Sequence, residues 1–439
     1  MSRLLAFRAA NVRSFRDELE LSLLATALAD EGVPRSMSWR EGGRLTEVLP
    51  VAGVFGANAS GKSNLFRAMN DMRRHVLYSF SRADPDSGMR RNAFRLDSAE
   101  KDASRFEIDL ILDGVLHEYG FVMDDAQVLE EWAYRYPRGK SALLFRREKS
   151  DVTLGGSNRA KGRAVMEILR PNSLLLSAAA AANHPDLAPL RRWFADNLLL
   201  ADASSRGRRW AFTTGMLQQE QRRDQVLGLL KAADLGITDV RVREAAPELL
   251  ERVKRATEFL QGREDEPEDK DAPASLVEQG VVLSHRGSAG TIEFDADEES
   301  LGTMALFELA GPVIHALANG SVLLVDEIEA SLHPALVRQL VRLFQDAETN
   351  PNGGQLIFNS HEASLLGDSS QERTLGRDQV WFTEKGDDGA SRLYPLSDLR
   401  PRSDEAIGRR YAEGKYGAVP TFDEEEFTEV GLSIADDSG

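Results

Sequence analysis

The stretch GVFGANASGKSNLF, residues 53–66, places three glycines, a lysine and two serines between two apolar patterns. It matches G-x-x-x-x-G-K-[ST], the pattern of a phosphate-binding loop. Upstream, residues 48–55 have the composition of a buried strand, and residues 64–69 begin a helical pattern. In such a unit, glycine lets successive N–H groups turn inward around phosphate oxygens, and the helix N-terminus adds partial positive charge. A chance glycine-rich turn is the alternative, and the flanking elements argue against it. The expected nucleotide contacts are Gly56, Ala57, Asn58, Ala59, Ser60, Gly61, Lys62, Ser63 and Asn64.

Two side chains of this loop have distinct expected roles. Lys62 can reach the β- and γ-phosphates of a nucleotide, and the Ser63 hydroxyl can bind Mg²⁺. The loop alone does not separate a kinase from an ATPase or a GTPase.

A second motif, SVLLVDEIEASLHP, begins at Ser321. Its unbroken apolar run, Val322 to Val325, is typical of a strand covered on both faces in a parallel α/β sheet. Such sheets bind ligands at the carboxyl ends of their strands, where Asp326 and Glu327 follow. We expect Asp326 to hold Mg²⁺ through water and Glu327 to orient or deprotonate the attacking water. The alternative is an acidic strand end that serves only solubility.

A third motif follows a helical pattern that starts at His333-Pro334, because proline is tolerated in a first helical turn. The next apolar run, Gln355 to Phe358, predicts a neighbouring strand that ends shortly before His361. From that position the imidazole could contact the γ-phosphate and sense its loss. We therefore predict a catalytic role for His361.

Composition excludes several classes. The chain of 439 residues has no cysteine, which removes disulfides, thiolate nucleophiles and cysteine-bound zinc. The length allows two or three domains, or one domain with a large insertion. No stretch approaches the roughly 18 to 20 apolar residues of a membrane helix. Arginines interrupt the apolar N-terminus, so we expect no secretory signal, no membrane partner and a cytoplasmic location.

The formal net charge of −17 is unevenly spread, so it neither establishes nor excludes a nucleic-acid partner. Two spots combine arginines with tryptophan, at residues 191–193 and 206–210. They could bind a phosphate backbone and stack a base. An exposed arginine face with a core tryptophan is the favoured interpretation.

The long middle of the chain contains several signals. Residues 104–135 alternate apolar and polar around Asp113-Gly114, which predicts a hairpin. Residues 160–262 have a mainly helical pattern, and residues 262–271 predict an exposed, charged linker. No heptad pattern persists, so a long coiled-coil arm is not expected. We predict three parts: an N-terminal part with the phosphate loop (1–140), a mainly helical lobe with its linker (141–272) and a C-terminal part (273–439).

Together, these motifs resemble the ABC-type ATPases of the SMC, RecF and OLD group, and most of all the stand-alone bacterial AAA family ATPases of the RloA and OLD type. The resemblance implies an α/β P-loop NTPase of the ABC-type head class. Such a head has a mixed, mainly parallel sheet, an N-terminal antiparallel β portion and an inserted helical lobe. The stretches that carry it are the phosphate loop and residues 11–15, 172–177, 299–303, 326–334, 359–362 and 410–420.

In that family, ATP lies between two heads, and one head supplies a signature loop whose Ser and Gly contact the γ-phosphate. The matching residues are Ser300 and Gly302, although ESLGT lacks the second Gly and the Gln of the usual signature. A helix cap is the alternative role for Ser300. The family's usual Gln after the first helix has no assigned equivalent. The resemblance implies a homodimer or higher oligomer.

The leading hypothesis is an ATP-hydrolysing switch that controls a separate effector, a nuclease or toxin, in phage defence. Only 78 residues follow His361, and they contain no Toprim-type nuclease pattern. A RecF-like or SMC-like repair ATPase is the alternative, and stimulation of hydrolysis by DNA ends or gaps would favour it. An ATP sensor without turnover is disfavoured by Glu327, and a small-molecule kinase by the chain length and the lack of a basic lid.

Overall fold

The computed structural model describes residues 2–28, 30, 33, 35, 37–41, 44–97, 102–156, 159–233, 236–243, 280–288, 290–420, 428–430 and 433. Two large β-sheets with helices between and beside them form the body of this part of the chain.

The first sheet is antiparallel and has seven strands in the order β10-β9-β8-β7-β6-β1-β2. The pattern around Asp113 and Gly114 forms the β6-β7 hairpin, as predicted, with Leu112 paired to Val115. The strands are β1 (Ser2–Ala10), β2 (Leu19–Ser22), β6 (Ser104–Leu112), β7 (Val115–Met123), β8 (Val128–Tyr136), β9 (Ala142–Glu148) and β10 (Asp151–Leu154). A separate pair consists of β3 (Met37–Glu41) and β4 (Arg44–Val48).

The second sheet is mainly parallel and has the order β11-β15-β16-β5-β17-β18. Only its edge strand β18 runs antiparallel to its neighbour. The strands are β5 (Val51–Gly56), β11 (Leu198–Ala201), β15 (Val322–Val325), β16 (Gln355–Ser360), β17 (Val380–Lys385) and β18 (Ser391–Pro395). Because β5, β16 and β15 are parallel neighbours, their carboxyl ends meet at one edge. This sheet confirms the predicted α/β class.

The helices, in chain order, are α1 (Lys62–Tyr78), α2 (Arg159–Ile168), α3 (Leu175–Ala181), α4 (Ala188–Asp196), α5 (Arg206–Met216), α6 (Glu220–Ala232), α7 (Leu301–Asn319), α8 (Pro334–Gln345) and α9 (Ile407–Ala412). A small antiparallel sheet contains β12 (Ile237–Val242), β13 (Val281–Gly287) and β14 (Gly290–Asp295).

Alternation along the parallel strands separates two apolar cores. Val54 and Leu324 join a core with α1 and the antiparallel sheet, whereas Phe55 and Leu323 join a core with α7 and α8. Successive residues of a strand point to opposite faces, so a strand with a core on each side is apolar throughout. The parallel sheet is therefore covered on both faces, which fixes the edge where its strands end.

Helix α7 is the one described helix that is long and apolar enough to cross a membrane by length and composition alone. Of the window that meets this criterion, 67% is buried inside the structure. Pro312 lies within the helix and cannot donate to the carbonyl four residues earlier. The Thr213 hydroxyl donates to that carbonyl, at Glu308, over 3.4 Å. These contacts are those of a core helix.

The region 141–272, predicted to be a mainly helical lobe, also contains strands of both large sheets. Strands β9 and β10 belong to the antiparallel sheet, and β11 pairs in parallel with β15 in the central sheet. The helices of this region therefore pack among strands of both sheets, because short apolar runs do not distinguish a buried strand from a buried helix. The predicted linker at 262–271 lies outside the described residues, and the three-part division remains a prediction.

His75 makes the stability of the fold depend on pH in a way that can be tested. Its ring packs against the stacked pair of Phe106 and Phe121, with ring centroids 6.4 and 6.0 Å away. The pKa of His75 is lowered to about 4, mainly by burial; Asp71 opposes this shift and Arg74 adds to it. The unfolded chain binds this proton at about pH 6.5, so stability falls as the pH drops from about 6.5 to 4. We expect His75→Leu to remove about 2 to 3 kcal/mol of that loss, measured by urea unfolding. Parallel pH curves for parent and variant would contradict this.

Candidate functional site

The segment from Gly56 to Asn64 connects β5 to α1, in the strand-loop-helix context that the sequence predicted. Gly61 has φ 115°, a region that side chains other than glycine rarely adopt. A Cβ at Gly56 would lie 2.4 Å from the Thr383 carbonyl oxygen on β17. Glycine is therefore required at Gly61 by its backbone angle and at Gly56 by close packing against β17.

The N-terminus of α1 faces this loop with unpaired amides. The first helical bond runs from the Leu65 N–H to the Gly61 carbonyl over 3.1 Å. The N–H groups of residues 62–64 thus have no acceptor within the helix. No acidic side chain lies in the first turn. This helix end has the donors and the partial charge that bind an anion.

The Lys62 side chain lies over the loop and is almost fully buried. Its Nζ donates to the carbonyls of Gly56 at 2.7 Å and Ala57 at 2.9 Å. Burial lowers the pKa of Lys62 to about 8, although the neighbouring carboxylates of Glu329, Glu327 and Asp326 raise it, in that order of size. The Lys62 ammonium group is thus bonded to two carbonyls of the loop. Phosphate oxygens of a bound nucleotide would replace these carbonyls as its hydrogen-bond acceptors.

Ser63 and Asp326, which are remote along the chain, meet in the structure. The Ser63 hydroxyl donates to Asp326 Oδ1 over 2.8 Å. The contact forms because α1 starts beyond the end of β5, while Asp326 follows β15, and β15 and β5 lie on either side of β16 in the sheet. A hydroxyl and a carboxylate are the hard oxygen ligands that Mg²⁺ prefers. The donor set at this edge therefore fits Mg²⁺.

Glu327 and Asp326 are held by a residue that sequence reasoning did not place in the site. Asn359, at the end of β16, is fully buried. Its Oδ1 accepts from the Glu327 N–H at 2.6 Å, and its Nδ2 donates to Asp326 Oδ1. Glu327 has φ 56°, which is uncommon for a residue other than glycine. The available signal was a polar amide residue directly after the predicted central strand, Gln355 to Phe358.

His361 follows β16 and lies next to Lys62. Its Nδ1 is 3.4 Å from Lys62 Nζ, and its backbone N–H donates to Glu329 Oε1 over 2.6 Å. Burial lowers the pKa of His361, and the Lys62 charge lowers it further. The imidazole therefore favours its neutral form beside the ammonium group. Glu329 is the second site residue that sequence reasoning missed.

The signature-like residues are placed differently. Ser300 is the N-cap of α7, and its hydroxyl accepts from the Thr303 N–H over 3.1 Å. A Cβ at Gly302 would lie 2.9 Å from the Ser331 carbonyl oxygen. These contacts run within α7 and to the segment after β15, while Leu301 between them is 70% exposed. The cap alternative is thus observed, at a surface position.

The two arginine-tryptophan spots have structural roles. Trp193 and Trp210 are buried, so neither offers a face to a base. Arg206 and Arg209 both bond the buried Glu308 of α7, at 2.6 and 3.1 Å. Arg191 donates to the Leu77 carbonyl at the end of α1. The predicted core position of both tryptophans is confirmed, but the predicted exposed arginine face is only partly present, because Arg191 and Arg209 are half-buried and bond other parts of the chain.

A cavity of about 480 Å³ adjoins the last residue of the loop. Asn64 lines it, and Asn64 Nδ2 donates to the Ser14 hydroxyl over 2.9 Å. Arg13, also in its wall, forms a bidentate pair with Asp71. Lys385 lines the cavity as well. Its wall is rich in hydrogen-bond donors.

The Asn359 contacts generate a prediction. Asn359→Ala leaves the Glu327 N–H and one Asp326 oxygen without their buried partner, a loss of about 1 to 3 kcal/mol in the free energy of unfolding. Hydrolysis of Mg·ATP falls with it, because Asp326 and Glu327 lose their shared support. Urea unfolding and phosphate release measure both effects. The control is Asn319→Ala, at an exposed position at the end of α7. Equal behaviour of the two variants would rule the role out.

Comparison with known proteins finds a family model and several solved structures that are similar to this chain. The family model described as "AAA domain, putative AbiEii toxin, Type IV TA system" matches residues 51–367. Among solved structures, the SMC head domain from Thermotoga maritima is similar at 12% identity, covering 90% of this chain and 98% of that one, with a TM-score of 0.42. The Smc head from Pyrococcus furiosus with an extended coiled coil, bound to the C-terminal domain of ScpA, is similar at 14% identity, covering 91% and 98%, with a TM-score of 0.37. No curated protein matches the chain in sequence. Since the family model spans most of the chain, including the phosphate loop, the acidic turn after β15 and His361, the chain belongs to this AAA-domain family and is a P-loop ATPase.

Proposed function

We propose that this ATPase is a molecular switch in which Mg·ATP closes a head-to-head dimer, hydrolysis reopens it, and a separate effector reads the difference. The observation that supports the proposal most directly is the meeting of Ser63 with Asp326 at 2.8 Å, beside Lys62 and the free amides of α1. Such a constellation positions a triphosphate and neutralises its charge.

The residues divide the work as follows. Amides of the loop and the Lys62 ammonium bind the β- and γ-phosphates, and Ser63 with Asp326 would hold Mg²⁺, which neutralises phosphate charge when bound. Glu327 is exposed, so its carboxylate can orient a water molecule and accept its proton. His361 contacts the γ-phosphate from the side of Lys62. The nucleoside end extends past Asn64 into the cavity lined by Ser14 and Lys385.

A dimer accounts for the placement of the signature-like residues. Ser300 and Leu301 are exposed, and their described contacts do not run to the loop of the same chain. In a head-to-head pair, Ser300 and Gly302 of one chain contact the γ-phosphate bound by the other. The free N–H groups at the start of α7 then face an anion, as those of α1 do.

The effector is proposed as a nuclease or toxin encoded by another gene, and the biological role as phage defence. The family description, which includes the words "putative AbiEii toxin, Type IV TA system", supports a link to a toxin system. ATP-dependent dimerisation supplies two states that such a partner distinguishes by differential binding.

Two variants test the switch. Lys62→Ala loses its ammonium contact with phosphate, so we expect the Kd for Mg·ATP to rise at least about tenfold. Glu327→Gln keeps nucleotide binding but slows phosphate release about a hundredfold or more, because its amide cannot accept a proton. The Gln variant therefore accumulates as an ATP-bound dimer in light scattering, and the Ala variant stays monomeric. Equal dimerisation of both variants would contradict the switch.

The same pair tests effector control. Each variant is purified with the proteins encoded beside it, with and without ATP, and the mass of the complex is measured. An effector that binds one nucleotide state gives different masses for the two variants. Identical masses would contradict the proposed control of an effector but would not affect the conclusion that the protein is an ATPase.

Substitutions at Ser300 distinguish a role at the dimer interface from a role as a helix cap alone. Ser300→Asp keeps a strong N-cap acceptor for the Thr303 N–H, so the unfolding midpoint should stay near that of the parent. It also places a negative charge where the partner's γ-phosphate would lie, so we expect ATP-dependent dimerisation to fail. Ser300→Ala is the matched control, since it loses about 1 kcal/mol of capping without adding charge. Normal dimerisation of Ser300→Asp would show that Ser300 is only a cap.

A further inference from the structure

Glu329 is an acidic residue of the site for which neither the motif nor the proposed mechanism has a use. It lies three residues beyond Asp326, in the turn that follows β15. Its Oε1 accepts from the His361 N–H over 2.6 Å. Its Oε2 is buried and accepts no hydrogen bond from the residues that the structure describes. A carboxylate with one oxygen bonded to a backbone amide and the other buried is held in a single orientation.

The Glu329 carboxylate interacts with Lys62, the ammonium group of the site. A carboxylate with one oxygen buried is costly unless a cation lies near it. Of the three carboxylates that act on Lys62, Glu329 has the largest electrostatic effect. Lys62 Nζ in turn lies 3.4 Å from His361 Nδ1. Glu329 therefore contacts the backbone of His361 and is electrostatically coupled to the ammonium group beside the imidazole.

The Glu329 bond also joins two separate loops. The turn after β15 carries Glu327, and the segment after β16 carries His361. Asn359 joins these loops at their base, through Asp326 and the Glu327 N–H. Glu329 joins them again, beyond the end of β16, at the residue that bears the imidazole. The two bonds lie on either side of Ser360, so the backbone on both sides of this residue is fixed.

We propose that Glu329 is a positioning residue for ATP hydrolysis, which fixes the backbone of His361 and thereby the distance of its imidazole from Lys62. This rests on the proposed role of His361 at the γ-phosphate. Glu329 makes no contact with the reacting atoms in this role, and no bond to it forms or breaks. Its effect is on the rate of the chemical step, because a displaced imidazole weakens a contact needed in the transition state and leaves the phosphate loop unchanged.

Three substitutions of Glu329 separate the effect of its side-chain length from the effect of its charge. Glu329→Gln keeps the length and an amide oxygen that can accept from the His361 N–H, but loses the charge. Glu329→Asp keeps the charge but withdraws the acceptor by one methylene. Glu329→Ala loses both. We expect kcat to fall at least about tenfold in the Asp and Ala variants and to stay within about threefold of the parent in Gln. The KM for ATP should change less than about threefold in all of them. Phosphate release at saturating magnesium measures both constants.

Glu372→Ala is the matched control, since it removes a carboxylate from an exposed position outside the site. Urea unfolding of every variant identifies any loss of the fold, and the Gln and Asp variants carry the test if Ala does not fold. Parental kcat in Asp, or equal losses in Gln and Asp, would overturn the positioning role. A change confined to KM would overturn it too, because it would place Glu329 in ground-state binding. Glu327→Gln, run in parallel, reports on the proposed function itself: if it loses hydrolysis while Glu329→Asp does not, only the Glu329 inference fails.

Discussion

The structure depends on the parallel pairing of three strands, β5, β16 and β15, whose carboxyl ends share one edge. This pairing brings the phosphate loop, the acidic turn and the segment of His361 together from three distant parts of the chain. Two apolar cores hold the strands from both faces, so a shift of register by one residue would exchange the side chains that face each core and disrupt their packing. The 2.8 Å contact between Ser63 and Asp326 follows from this arrangement.

Charges of both signs lie close together at that edge. Lys62 is buried against two carbonyls, and three carboxylates act on it from the turn after β15. Hydrogen bonds hold two of these, Asp326 to Ser63 and Glu329 to the His361 N–H. Groups fixed in this way do not need to reorganise when charge develops in a reaction, which is the main electrostatic means of catalysis. The hydrogen bonds of Asn359 and Glu329 therefore contribute to this fixed arrangement together with the motif residues that they hold.

Sequence patterns predicted the elements that have strong local signals. The strand-loop-helix unit, the run Val322 to Val325 and the β6-β7 hairpin all appear where the sequence places them. The strands β9, β10 and β11 were missed within a region predicted to be mainly helical. The last of these is four residues long and pairs only with residues more than a hundred positions away. Its strand conformation comes from that pairing, which no local window contains.

The sequence by itself determined the chemistry of the site: which residue offers the ammonium, which the hydroxyl and which the carboxylates, since these follow from residue types at fixed spacing. The tertiary structure alone decided which of them touch and what supports them. Asn359 and Glu329 became site residues only when β15 and β16 paired, and Trp193 and Trp210 ceased to be candidates for stacking once they were buried. The physical reason is that covalent spacing fixes short-range neighbours, whereas long-range neighbours are selected by the burial of apolar surface and the pairing of buried polar groups.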